Sequence, residues 1–252
     1  MGTALITGGS RGMGRATALE FAERGHDVAV TYRTRRDEAD AVVKEIESRG
    51  RGGLAVLLDV EDRATIDDAF AAVEKRFGKV DYLFANAGIF PGLESVSQQT
   101  WEGWRRLLDV NVIGQWYCAK LAIESMRKYG GGGGVLYNSS ISGVMTFPSA
   151  SHYAASKHAV VGMAKGQSLE CARDGIRVNV ICPGFFRTDM YDEYYGAATD
   201  HLTGNVIPAE RIGDPKEIAR LAYFLLAEGT YCSGSIVVAD GGITAGPKPP
   251  SA

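Results

Sequence analysis

Near the middle of the chain the run Tyr-Ala-Ala-Ser-Lys sets Tyr153 four residues before Lys157. On a helix that spacing puts a phenol and an ammonium one turn apart on the same face. A free phenol, with a pKa of about 10, is a poor base at neutral pH. An ammonium about 4 Å away, at an effective dielectric near 20, favours the phenolate by roughly 4 kcal/mol, or about three pKa units. Such a pair can give or take a proton near working pH. The spacing is common by chance, however, and on its own equally describes a surface pair.

A second chemical signal lies near the N-terminus, in Thr7-Gly8-Gly9-Ser10-Arg11-Gly12-Met13-Gly14. It follows an apolar strand-like run and precedes a helix-like one. Glycines in that place permit a tight turn, let backbone approach a pyrophosphate, and bring helix close to strand. The unpaired N–H groups and positive dipole end of the helix suit phosphate. The pattern therefore predicts a dinucleotide. An acid closing the second strand would select NAD through its ribose hydroxyl, and a base would select a 2′-phosphate. The acidic position holds Tyr32, followed by Arg33, with Arg35 and Arg36 close behind. Arg11 and Arg33, as planar guanidinium donors, favour NADPH, with NADH as the alternative. Arg35 and Arg36 read better as the start of an exposed helix.

These groups need a scaffold, and the chain alternates short β-branched runs with longer amphipathic ones. Strands are expected at 3–7, 28–32, 54–58, 82–85, 135–139, 177–181 and 236–238, several of them continuously apolar, as in parallel strands covered on both faces. Ile66, Ala69, Phe70, Val73 and Phe77 repeat with helical period. Asp214-Pro215-Lys216-Glu217 has the form of a capped helix start. Alternation of this kind implies right-handed βαβ crossovers and a doubly wound, Rossmann-type parallel sheet of about seven strands. Residues 1–246 read as one domain and 247–252 as a flexible tail. The run 130–134 reads as a flexible glycine loop.

Composition narrows the partners. Formal charge is −3 and 45% of residues are hydrophobic, which suits a globular enzyme and suggests neither nucleic acid nor a membrane as partner. Cys118, Cys171, Cys182 and Cys232 form no CxxC pair and read as reduced core thiols. The histidines, His26, His152, His158 and His201, are equally scattered, so no metal site is expected. No apolar run has the length of a membrane span, and the expected location is cytoplasmic.

The glycine spacing, TGxxxGxG, resembles that of the short-chain dehydrogenase/reductase family, and the likeness continues along most of the chain. It implies that Asp59 and Val60 meet the adenine, as does Asn86-Ala87-Gly88, where the family's usual doubled Asn is Ala85-Asn86. It also implies that Ser140, thirteen residues before Tyr153 and ahead of x-x-Gly, polarises a carbonyl. By the same likeness Tyr153 transfers the proton, and Lys157 lowers its pKa and holds the nicotinamide ribose. Asn111 would bend its helix and hold a water linked to the lysine, while Pro183, Gly184 and Thr188 would meet the carboxamide.

The substrate pocket is expected to be aromatic, from Phe90, Phe147, Phe185, Met190 and Tyr191, with 191–195 as a lid. The implied activity is reduction of a ketone or 3-oxoacyl carbonyl. A sugar-type alcohol dehydrogenase is the alternative, and a regulator without catalysis a third. The family habit of dimers or tetramers implies a homo-oligomer, with which the small residues Ala154, Ala155, Ala159 and Gly162 are compatible.

Overall fold

The computed structural model describes residues 2–248. Seven strands form one parallel sheet in the order β3-β2-β1-β4-β5-β6-β7. They are β1 (Thr3–Ile6), β2 (Asp27–Tyr32), β3 (Gly53–Leu57), β4 (Tyr82–Ala85), β5 (Gly133–Asn138), β6 (Ile176–Pro183) and β7 (Ile236–Ala239). Every expected strand is present, shifted by no more than two residues at either end. The apolar runs are continuous for the reason expected: Ala4, Leu5 and Ile6 are all fully buried, because both faces of the sheet are covered.

One face carries α1 (Gly12–Glu23), α2 (Arg36–Ser48) and α9 (Pro215–Tyr223), packed through Phe21, Val42 and Ile218 onto Ile6 and Val30. The other carries α3 (Arg63–Phe77), α5 (Gln115–Tyr129) and α6 (Ser151–Cys171), which bury Val73, Met126 and Val160 against Leu5 and Leu83. The start of α9 is a full capping box: Asp214 accepts from Lys216 N at 2.8 Å and Glu217 accepts from Asp214 N at 2.9 Å. Helix α4 (Trp101–Leu108) runs into α5 through a π-turn at Asp109–Gly114. Short helical pieces, α7 (Asp189–Tyr195), α8 (Thr199–His201) and a π-turn at Leu202–Val206, fill the connection after β6.

The glycine run 130–134 is not wholly loop, since Gly133 and Gly134 open β5. The peptide of Leu226 presses on the strand there, its oxygen 2.7 Å from where a Cβ on Gly134 would stand, so glycine serves packing rather than looseness. Lys248, within the expected tail, donates to Thr203 O at 3.0 Å and Gly204 O at 2.6 Å and pairs with Glu210 at 2.9 Å. Residues 249–252 of that tail lie outside the described ones. Cys118, Cys171 and Cys182 are buried, and all four cysteines are free thiols.

Strand order reverses between β1 and β4, and α/β sheets open a crevice at the carboxyl ends of such strands. Here Asn86, just past β4, ties the two together. Its amide donates to Thr7 O at 2.9 Å, while Thr7 Oγ1 accepts from Asn86 N at 2.9 Å and Ala87 N at 3.0 Å.

Candidate active site

Above that crevice lies a cavity of about 330 Å³. Its floor is the β1–α1 loop, contributing Gly8, Ser10, Arg11, Gly12 and Met13. Arg33 borders it after β2, Asp59 and Val60 after β3, and Asn86, Ala87 and Gly88 after β4. Gly14, also expected there, does not line it. A Cβ on Gly14 would stand 2.3 Å from Gly8 O and 2.8 Å from Asn86 Nδ2. Its lack of a side chain lets α1 start directly behind the loop. No side chain caps α1, so the orphan N–H groups of its first turn are left to a ligand. A backbone cradle joined to an uncapped helix start fits a dinucleotide pyrophosphate.

The arginines are less free than the sequence implied. Arg11 pairs with Asp189 at 2.6 Å, and Arg33 with Glu61 at 3.6 Å. Arg35, read from sequence as merely starting an exposed helix, also borders the cavity, while pairing with Glu38 at 2.6 Å. Arg36 pairs with Asp40 and stays off it. Arg35 and Glu61 are thus residues that sequence reading missed. Arg35 stands only three residues past the end of β2, and that proximity to a strand terminus was the available signal. Glu61 gave none.

A second cavity of about 460 Å³ adjoins the first, and Met13, Asn86, Asn138 and Thr188 line both. Ser140, Tyr153 and Lys157 meet in it, with Pro183 and Gly184 at one side. All five expected pocket residues, Phe90, Phe147, Phe185, Met190 and Tyr191, face it. So does Tyr195, expected as the end of the lid but not as a pocket residue, although its i, i+4 relation to Tyr191 placed both on one face of α7. Phe90 meets Tyr153 edge-on at 4.9 Å and stacks on Tyr195 at 5.7 Å.

Neighbouring serines are sorted by the strand. Ser139 is buried and donates to Lys157 O at 2.8 Å, which pins α6 to the end of β5. Ser140, extended at φ −171°, turns to the cavity, and its hydroxyl accepts from Ser142 N at 3.1 Å. Asn111 lies in the π-turn and is fully buried, a local widening that is frequent at functional sites. Its side chain accepts from Ile89 N at 2.9 Å and donates to Ile89 O at 3.0 Å and Ser156 Oγ at 3.2 Å. It therefore fixes the chain that enters the pocket after Gly88, rather than lining either cavity.

Electrostatics depart from the sequence expectation. Burial pushes the Tyr153 phenol well above its ordinary value; the Ser140 hydroxyl draws it back only in part, and Tyr195 raises it further. Lys157 sits 5.6 Å from the Tyr153 ring centre and donates to Asn138 O at 3.0 Å. Its own pKa is lowered to about 8, because burial disfavours the ammonium. Desolvation of both groups outweighs the attraction reckoned from spacing alone. Burial therefore favours the neutral phenol. Among the described residues no group of three or more His, Cys, Asp and Glu could hold a metal, and no helix is long and apolar enough to cross a membrane.

A backbone cradle for a dinucleotide, opening onto a buried phenol and ammonium, defines an α/β oxidoreductase. Comparison with known proteins narrows this. A family model described as Enoyl-(Acyl carrier protein) reductase matches residues 8–244. The 3-oxoacyl-[acyl-carrier-protein] reductase FabG of Staphylococcus aureus is 34% identical over 247 residues, covering 96% of this chain and 97% of its own. Cyclohexanol dehydrogenase of an Acinetobacter species is 35% identical over 245 residues, 96% of this chain and 94% of its own. The crystal structure of a short-chain type dehydrogenase/reductase from Mycobacterium marinum has a TM-score of 0.91 at 34% identity, covering 97% of this chain and 96% of that one. The chain belongs to the short-chain dehydrogenase/reductase family, enzymes that interconvert CH–OH and C=O groups with a nicotinamide dinucleotide.

Proposed function

We propose that the enzyme reduces a carbonyl to an alcohol with NADPH, using Tyr153 as the proton donor. The observation that carries the reading is geometric: Ser140, Tyr153 and Lys157 meet in a chamber that adjoins the dinucleotide cleft, and burial favours the protonated phenol there, as suits a donor. The loop 8–13, Asn86 to Gly88 and Thr188 would hold the dinucleotide, with Arg11 and Arg33 facing the 2′-phosphate. When bound, NADPH supplies the hydride. Ser140 donates to the carbonyl oxygen as negative charge grows on it. Tyr153 then passes its proton to that oxygen. The Lys157 ammonium stabilises the phenolate left behind, and Asn111 holds the 88–89 backbone beside them.

Relatives named for a 3-oxoacyl ketone and for a cyclic alcohol support the carbonyl/alcohol class. The same reading expects a cytoplasmic enzyme and a homo-oligomer; Leu169, 81% exposed near the end of α6, supports the second of these.

A pH profile tests the chemistry. Lys157 carries its charge below about pH 8 and loses it above, while Tyr153 stays protonated throughout. The kcat/KM for reduction is therefore flat up to about pH 8 and falls above it, by at most about tenfold per unit. A rate rising through pH 8–10 would contradict the assignment.

A further inference from the structure

The second cavity is specific about charge and shape. Among the described residues that line it, Lys157 and His201 are the only basic ones, and the Lys157 ammonium already serves Asn138 O. No arginine or carboxylate faces the interior. A carboxylate or phosphate drawn in would find one ammonium, already bound to Asn138 O, and no guanidinium, so its burial would cost more than that of a neutral group.

The walls are aromatic, and the rings lean on one another. Phe185 meets Tyr195 edge-on at 5.1 Å, and Tyr195 stacks on Tyr191 at 6.2 Å. The Tyr195 hydroxyl makes no hydrogen bond within the described residues, whereas that of Tyr191 is bound to Thr199 Oγ1 at 2.7 Å. An apolar cavity of about 150 Å³ accommodates one six-membered ring. A chamber of about 460 Å³ holds roughly three. The nicotinamide ring would take one place, leaving about two.

The rim adds a second, independent constraint. The three segments that wall the pocket, 89–94, 144–150 and 185–206, carry five carboxylates (Glu94, Asp189, Asp192, Glu193 and Asp200) against the single guanidinium of Arg187. Arg187 pairs with Asp192 at 3.3 Å, and Arg11 of the cleft with Asp189 at 2.6 Å, so two of the five carboxylates are ion-paired. Asp189 and Asp192 remain more than half exposed. An acyl group on coenzyme A brings its phosphates to this rim, and like charges across an interface disfavour a partner.

We infer that the substrate is a compact, uncharged ketone carried on one or two rings, and that the pocket rejects acyl groups delivered on anionic thioesters. This rests on the reductase reading above and narrows it. It also separates this chain from the carrier-bound substrates for which several of its relatives are named.

The test compares initial rates of the full-length enzyme with NADPH on cyclohexanone, acetophenone and acetoacetyl-CoA, alongside NADPH binding followed by fluorescence. The expected result is a kcat/KM for one of the ring ketones at least 100-fold above that for acetoacetyl-CoA. Equal or better use of acetoacetyl-CoA overturns the inference and leaves the reductase reading standing. Binding of NADPH with reduction of none of the three would instead sink both. Reversing the rim charge with the double variant Asp192→Lys/Glu193→Lys, neither residue lining the pocket, should lower KM for acetoacetyl-CoA three- to tenfold and leave that for the ring ketone unchanged. An unmoved acetoacetyl-CoA KM would refute the electrostatic part.

Discussion

The two cavities are built by opposite means. The dinucleotide cleft is made of backbone: a glycine loop, an uncapped helix start, and the ends of β1, β2, β3 and β4. The substrate chamber is made of side chains carried by three separate segments, and it has its own small core of Ile141, Tyr191, Leu202, Ile207 and Ile243, apart from the two that cover the sheet. A backbone cradle is set by the fold and serves one ligand. A side-chain chamber can be relined without disturbing the sheet.

This contrast also explains what the sequence revealed. Backbone demands leave strong local marks, because only glycine tolerates the approach of Gly8 O to Gly14, and a capping box needs its residue types at fixed offsets. The seven strands, the glycine loop and the α9 start were accordingly legible. Ser140 could be told from Ser139 and Ser142 only through family spacing, since all three border the chamber and the distinction lies in which hydroxyl meets the Tyr153 phenol. Tyr195 as a pocket residue, Arg35 and Glu61 were not picked out: aromatic and charged residues are equally at home in cores and on surfaces, and their function comes from tertiary placement. The Tyr153 pKa was misjudged because spacing reveals attraction between two groups but not the burial both of them share.

Mutations can press on each half separately. The largest effect is expected from Gly14→Ala, whose new methyl would meet the Gly8 carbonyl. It should cost about 3 kcal/mol, lower Tm by roughly 10 °C in a chain of this size, and abolish NADPH binding. A variant of unchanged Tm that binds normally would show that the cradle is not set by this approach.

Next comes Arg33→Asp, expected to weaken NADPH by ten- to a hundredfold while NADH changes little. Equal loss of both in steady-state kinetics would remove Arg33 from cofactor choice. The smallest effect is on the lid side. Lys248 is only 9% exposed and tied to Thr203 and Gly204, so Lys248→Ala should raise substrate KM two- to threefold and speed proteolysis within 189–206, with NADPH affinity unchanged. A change in NADPH affinity instead would show that the two cavities are not separately built.

The central claim is that a protonated Tyr153, in the chamber that adjoins the cleft, performs the proton step. Tyr153→Phe removes one oxygen and keeps the ring that Phe90 packs against. Single-turnover reduction by this variant with saturating NADPH is the most direct measurement. The rate should fall by about 10²–10⁴-fold, with NADPH affinity within twofold of the parent enzyme. A variant that reduces its ketone at the parent rate would contradict the mechanism outright.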